Sequence, residues 1–437
     1  MDCRSLFHPF FMTDIQQTFD GLGIAPDLMN CLEKLHFTTP TPIQVKAIPI
    51  AIDGKDLIGI AQTGTGKTLA FGIPMIQRLA GMPDSAQGLI LLPTRELAEQ
   101  VEQSLKKLVP GIPMALIMGG ASANQQVAAL RRGPKIVVAT PGRLIDLMEE
   151  GVANMRNVSM LVLDEADRML DMGFAPQINK ILAKMPGGRQ TMLFSATMPA
   201  DIAKLATKYM SLPLRVEVAT AGTTSERVEQ ELFVVKREKK SQLLEKILSE
   251  YRGTVLIFSR TKHGATKISR LIQSMGHTSD EIHANRSLPQ RRRALEGFKS
   301  GRNRILVATD IAARGIDVKG IELVLNYDLP DNPDDYVHRI GRTGRASHRG
   351  KAISFATPEQ AKEVNAIERV IRTQLPVSKT PTNLPDFKPM PFIPSDTRHG
   401  GGRPSGGRSS GGRSGGFGGG GSRPSGGRPS GGRGGRR

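Results

Sequence analysis

LVLDEAD, residues Leu161 to Asp167, is an apolar run that ends abruptly in three carboxylates within four residues. A strand buried on both faces reads as such a run, and one ending in acidic side chains presents a carboxylate at the rim of a parallel sheet, where it can hold Mg²⁺. Taken alone, the tetrapeptide reads as a solvated strand end. Its companions reverse that reading: AQTGTGKT (Ala61 to Thr68) precedes it, SATM (Ser195 to Met198) follows, and YVHRIGRTGR (Tyr336 to Arg345) comes far downstream.

DLIGI (Asp56 to Ile60) reads as a short buried strand, and Gly64, Thr65, Gly66, Lys67 and Thr68 open a helix that continues through LAFGIPMIQRLA. Glycines let successive backbone N–H groups converge on phosphate oxygens. Lys67 then reaches the β- and γ-phosphates, and the Thr68 hydroxyl is available to Mg²⁺. Ala61 stands where the general phosphate-loop pattern has Gly. A flexible glycine turn is the bland alternative, and a following strand that ends in DEAD makes it the weaker one.

From Gly88 onward the runs LILLP, KIVVAT, MLVLDEAD and QTMLFSAT are separated by helical segments such as RELAEQVEQSLKKLV, a pattern that predicts parallel βαβ units. The alternation resumes after the polar stretch AGTTSERVEQ (Ala221 to Gln230), with TVLIFSR, RILVATD and IELVLNYDLP as strands. The expected fold is α/β, with two doubly wound parallel-sheet domains at 12–218 and 229–375 joined by a linker at 219–228. Residues 1–11 form an extension, and Met12 begins MTDIQQTFDGLGI. From 376 the composition turns Pro-rich and then to GGR units, and half of the residues from Gly400 onward are Gly. That tail is expected to be disordered.

At 437 residues and 38% hydrophobic content the chain can build two ordinary cores. Its net charge of +19 points to a polyanionic partner. The eight Arg from Gly400 onward, with no acid among them, supply +8 of that charge and leave +11 to the remainder. A membrane is the competing polyanion, but no stretch of 18 apolar residues and no basic amphipathic anchor stands out. The first residues, MDCRSLFHPFF, lack the sustained apolar core of a secretory leader. Cys3 and Cys31 have no metal-ligand spacing, which fits a reducing cytoplasm.

Further pieces occur in a fixed order: HFTTPTPIQ (His36 to Gln44), PTRELA (Pro93 to Ala98), Gly119-Gly120, TPGR (Thr140 to Arg143), LIFSRTK (Leu256 to Lys262), Gln290 with Arg293, and VATDIAARGID (Val307 to Asp317). Together with the motifs above, they make the chain resemble the DEAD-box RNA helicases of superfamily 2, with the bacterial RhlE-like group as the expected subgroup. The resemblance runs from about Phe19 to about Leu375. His36 stands where the family usually has Gly, as does Ser347, and both bear on loop conformation alone.

The resemblance implies that both domains are RecA-like, with ligand sites in the cleft between them, and that the chain is an RNA-stimulated ATPase using ATP and Mg²⁺. It implies an adenine face at Phe37 and an adenine-reading amide at Gln44. It places phosphates over Gln62, Thr63, Gly64, Thr65, Gly66, Lys67 and Thr68, the ribose at Asp317, and Mg²⁺ at Thr68 and Asp164. Glu165 would deprotonate the attacking water, and Arg342 and Arg345 would act as arginine fingers. Ser195, Thr197 and His338 read as couplers. Arg95, Gly120, Thr140, Arg143, Arg260, Gln290, Arg293 and Thr309 would grip the RNA backbone without reading sequence, and 4% aromatic content with no Trp argues against a base-stacking platform. The expected activity is local unwinding of short RNA duplexes or remodelling of RNA–protein complexes, with ribosome-assembly or RNA-decay proteins as candidate partners. An ATP-gated RNA clamp is the alternative, and a DNA helicase is disfavoured by the DEAD and SAT pairing and the adenine-reading loop.

Overall fold

A computed structural model describes residues 18–62, 64–218, 228–313, 318, 320–344, 350–379 and 381. The extension at 1–11, linker residues 219–227, the tail from 382, and the expected site residues Thr63, Asp317 and Arg345 lie outside these, as does Ser347.

Two helices open the first domain, α1 (Pro26–Lys34) and α2 (Pro42–Ile52), each with Pro in its first turn, where the missing N–H would be unsatisfied anyway. There follow β1 (Leu57–Ile60), α3 (Lys67–Ala80), β2 (Gln87–Leu91), α4 (Arg95–Leu108), β3 (Met114–Ile117), α5 (Ala123–Arg131), β4 (Ile136–Ala139), α6 (Pro141–Glu149), β5 (Val158–Leu163), α7 (Ala166–Asp171), α8 (Ala175–Leu182), β6 (Gln190–Ser195), α9 (Ala200–Tyr209) and β7 (Leu214–Glu217). The strands form one parallel seven-stranded sheet in the order β3-β4-β2-β5-β6-β1-β7.

Continuous apolar strands arise here because helices cover both faces. Along β5, Met160 and Val162 enter the core layer that holds Ile43, Phe71 and Leu105, whereas Leu161 and Leu163 enter the layer that holds Leu144, Met169 and Ile181. Each fully buried side chain of this kind contributes about 1.5–3 kcal/mol. The strand thereby fixes the direction of its own carboxyl end, where Asp164 begins.

The second domain repeats the plan with β8 (Val228–Val234), α10 (Lys240–Glu250), β9 (Val255–Phe258), α11 (Lys262–Ser274), β10 (Ser279–Ile282), α12 (Leu288–Lys299), β11 (Ile305–Ala308), α13 (Asp310–Ala313), β12 (Leu323–Asn326), α14 (Pro333–Ile340), β13 (Gly350–Ala356), α15 (Ala361–Ile371) and β14 (Val377–Ser378). Its parallel sheet also has seven strands, in the order β10-β11-β9-β12-β13-β8-β14. Val377 and Ser378 pair with Leu232 and Phe233 of β8, so this sheet uses chain beyond Leu375. Two doubly wound α/β domains are present, as the alternation predicts. Among the described residues, no helix is long and apolar enough to cross a membrane.

α1 ends in a way that explains His36. His36 has φ +59°, its N–H bonds to Glu33 O at 2.9 Å, and the Phe37 N–H bonds to Leu32 O at 2.9 Å. This is a Schellman cap, whose left-handed residue is usually Gly. The loop therefore keeps the glycine-type conformation with a His in it, and the cap aims Phe37. His36→Gly should leave the unfolding free energy within about 0.5 kcal/mol, because relief of the left-handed backbone is offset by a freer unfolded chain, whereas β-branched His36→Val should cost about 1 kcal/mol or more. Denaturant midpoints of the two variants check this.

Candidate active site at the domain interface

The phosphate loop joins β1 to α3 and holds Gly64 and Gly66 at φ +87° and +88°. Gly66 is required twice over, since a Cβ there would also approach Gln44 Nε2 to 2.5 Å. Gln44 Nε2 donates to Gly66 O at 3.0 Å, and its Oε1 accepts from Thr41 N at 2.8 Å. The residue expected to read adenine thus also ties the start of α2 to the phosphate loop, and retains one N–H and one lone pair for a ligand. Phe37, 43% exposed, leaves an aromatic face open. Lys67 is buried, donates to Ala61 O at 3.1 Å, and lies 3.9 Å from Asp164 Oδ1. Thr68 follows it in the first turn of α3, whose amino end is a ready anion site.

At the carboxyl end of β5, Asp164, Glu165 and Asp167 are all buried. Burial pushes Asp164 up to about 6, with Lys67 opposing the shift. Glu165 behaves oppositely. Burial raises it, but Arg168, Lys67 and Arg342 together hold it below the ordinary carboxylate range. Arg168 is only 2% exposed, and its Nε lies 3.5 Å from Glu165 Oε2. Glu165 sits at φ +53°, a left-handed backbone that bends the chain from strand into α7.

Asp167 is committed to β6. Its Oδ2 accepts from Ala196 N at 3.1 Å, Thr197 N at 2.9 Å and Thr197 Oγ1 at 3.0 Å, while Asp167 N donates to Ser195 Oγ at 3.4 Å. The expected couplers Ser195 and Thr197 therefore engage the last acid of DEAD directly. That acid was not singled out from the sequence, although it belongs to the quoted motif.

The second domain supplies α14. Arg342, just past its end, is buried, donates from Nε to His338 O at 3.2 Å, and lies close enough to act on Glu165 across the interface. A cavity of about 110 Å³ brings Gln62 and Thr197 of the first domain together with Val337, His338 and Arg342 of the second. Arg339 is a residue that sequence reasoning passed over. It pairs with Asp310 through two bonds of 2.5 and 2.7 Å, donates to Asn326 Oδ1 at 3.1 Å and Asp328 O at 2.6 Å, and lies 4.9 Å from the Phe258 ring centroid. It anchors α14, and so Arg342, to α13 and β12.

The residues expected to hold RNA are placed as follows. Arg95 opens α4 and packs under the Gly119-Gly120 turn, where a Cβ on Gly120 (φ +79°) would come within 2.5 Å of Arg95 Nη1. Thr140 precedes α6, and Arg143 lies 3.8 and 3.7 Å from Asp146 and Glu150. Arg260 lies 3.1 Å from Asp331, and Thr309 N donates to Ile282 O at 3.3 Å. Gln290 caps α12 by accepting from Ser287 N at 2.9 Å, and Arg293 is exposed on that helix. Between them Arg291 and Arg292 reach the other domain, Arg291 Nε lying 2.7 Å from Glu96 and Arg292 Nε lying 3.1 Å from both oxygens of Glu99.

Residues 41–205 match the DEAD/DEAH box helicase family, and residues 238–347 match the helicase conserved C-terminal domain. The DEAD-box ATP-dependent RNA helicase CshA of Geobacillus kaustophilus is 41% identical over 368 residues, covering 84% of this chain and 79% of that protein. CshA of Bacillus subtilis is 39% identical, covering 84% of this chain and 74% of that one. Among solved structures, S. cerevisiae Dbp5 bound to RNA and ADP BeF3 is similar with TM-score 0.74 and 32% identity, over 82% of this chain and 95% of that one. Mss116p bound to ssRNA and AMP-PNP is similar with TM-score 0.77 and 27% identity, over 84% of this chain and 81% of that one. These curated relatives carry the CshA name, and none of them speaks for the RhlE-like subgroup. Both helicase modules, the DEAD strand end and the arginine-bearing α14 that faces it thus fall within one family, and the chain belongs to the DEAD-box ATP-dependent RNA helicases.

Proposed function

We propose that ATP hydrolysis here is carried out by a site assembled from both domains and coupled to local separation of an RNA duplex. One observation carries this reading: Glu165 of the first domain is held ionised by Lys67 and Arg168 of its own domain together with Arg342 of the other. Glu165 orients a water in line with the β–γ bond and takes its proton, while Lys67 and Arg342 meet the charge that develops on the transferred phosphoryl group. The products are ADP and phosphate. Arg345 is the second finger in this proposal, and Asp317 and Thr63 complete the nucleotide contacts.

Thr68 and Asp164 fit Mg²⁺, for a hydroxyl and a carboxylate are the hard oxygen donors it prefers, and burial raises Asp164 to about 6, a shift that a cation beside it would oppose. Held by Thr68 and Asp164, the ion would supply positive charge against the charge that develops on the transferred phosphoryl group. The remaining protein groups act by position. Asp167 holds Ala196 and Thr197, which line one cavity with His338 and Arg342, so that closure of the domains and completion of the site are one event. Arg95, Gly120, Thr140, Arg143, Arg260, Gln290, Arg293 and Thr309 hold one RNA strand by its backbone in the closed state, bending it away from its complement. The Arg-rich tail tethers RNA, and the protein acts in the cytoplasm, where assembling or decaying ribonucleoproteins supply its substrates.

Glu165→Gln should keep ATP and RNA binding yet lower turnover by about 10²- to 10⁴-fold, whereas Lys67→Ala should also weaken ATP binding; equilibrium binding and single-turnover ATPase separate the two. Gln44→Ala should reduce the preference for ATP over GTP, since each mispaired polar group costs about 1–3 kcal/mol, and a ratio of kcat/KM values reads it. Thr197→Ala removes one bond to Asp167, a loss of about 1 kcal/mol, and should lower strand displacement of a short RNA duplex more than RNA-stimulated ATPase.

A further inference from the structure

Two elements that carry expected RNA contacts meet directly across the domain interface. α4 bears Arg95 at its start, and α12 bears Gln290 and Arg293. Glu96 and Glu99, three apart, share one face of α4. Arg291 and Arg292, in the second turn of α12, point about 100° apart and straddle it. The inner pair, Arg291 with Glu96, is almost wholly buried. The outer pair differs: Arg292 is 53% exposed and Glu99 only 12%, and the guanidinium forks the carboxylate through Nε and Nη2. Neither residue touches the nucleotide loop. Both flank the groups expected to hold the RNA backbone, and a planar fork on a carboxylate fixes orientation as well as distance.

We propose that Arg292 and Glu99 are positioning residues that set the register of α4 against α12 in the closed state, so that the RNA-gripping groups of the two domains come to bear on one strand together. The pair forms only when the domains close, and it therefore favours closure without contacting RNA. RNA affinity measured through the closed state falls by the factor by which closure is disfavoured. The inference rests on the closure cycle proposed above. The alternative for Arg292 is a direct phosphate contact, and charge reversal separates the two because the signs differ. A new Arg at position 99 would strengthen binding to a polyanion if only phosphate attraction mattered, but it would repel Arg292 if the clasp matters.

The test uses the full chain, ATP and a mixed-sequence single-stranded oligoribonucleotide, and reads the RNA concentration that gives half-maximal ATPase stimulation in Glu99→Arg, Arg292→Glu and the double exchange. The clasp predicts that each single reversal raises this concentration about fivefold and that the exchange returns it to within about twofold, with ATP binding in the absence of RNA unchanged throughout. If Glu99→Arg instead tightens RNA binding or leaves it unchanged while Arg292→Glu weakens it and the exchange fails to recover, Arg292 is an RNA contact and the proposal is wrong. Three variants that match the unaltered chain would equally overturn it. Should a reversal fail to fold, Glu99→Gln, Arg292→Gln and their double repeat the cycle, with losses of about two- to threefold that do not add as the expected result and additive losses as the contrary one. Failure of the closure cycle itself looks different, because the unaltered chain would then show no RNA stimulation.

Discussion

Three carboxylates within four residues cannot be buried at one strand end unless positive charge and N–H groups surround them. Each acid has its own solution here. Asp164 faces Lys67 and accepts the Glu165 N–H. Glu165 is answered by Arg168, Lys67 and Arg342. Asp167 is saturated by the backbone and hydroxyl of the SAT turn. Only one of these partners, Arg342, comes from the second domain. With the domains apart, Glu165 would lose one of its three cations and gain water, so its electrostatic environment reports whether the cleft is closed.

The same logic explains why Arg339 on α14 and Arg342 just past its end lie one turn apart. Arg339 donates to Asp310, Asn326 and Asp328 and presses on the Phe258 ring, which fixes the helix. Arg342, one turn on, then projects from a rigid support. An arginine on a mobile loop would have to be ordered before it could face Glu165. At the other side of the interface, α4 and α12 use carboxylates against arginines with no ligand between them. The two domains thus meet at two places, through Arg342 beside Glu165 and through the arginines of α12 on the carboxylates of α4.

The middle strands of both sheets were legible in the sequence because parallel strands covered on both faces read as unbroken apolar runs, whereas the flanking strands β3, β7, β8, β10 and β13 were not picked out; LVLDEAD carried strand, turn and carboxylates in seven residues. β14 was not legible, being two residues in a Pro-rich stretch whose only support is pairing with β8. Nor could the run Arg291-Arg292-Arg293 be apportioned. Three identical side chains differ only in helical phase, and which of them meets Glu96, which meets Glu99 and which faces solvent is set by the approach of another domain. Gln44 shows a subtler limit. Its residue type suited adenine, but the same amide closes the cap of α2 and bonds to Gly66 O, a use that depends on a loop distant in sequence.

Left-handed backbone at Glu165 sets the direction of its carboxylate. A non-glycine residue at φ +53° costs about 1–2 kcal/mol, and a glycine would relieve it but remove the carboxylate. The strain is held by neighbours on both sides: β5 is pinned in its sheet, Asp167 is locked to the SAT turn two residues later, and Arg168 grips the Glu165 carboxylate one turn on. Any motion that shifts the SAT turn must therefore act on Asp167 first and on the direction of Glu165 next, with only Ala166 between them. Because the SAT turn lines the same cavity as His338 and Arg342, the position of the second domain reaches the Glu165 carboxylate by two routes, through charge from Arg342 and through backbone geometry from Asp167.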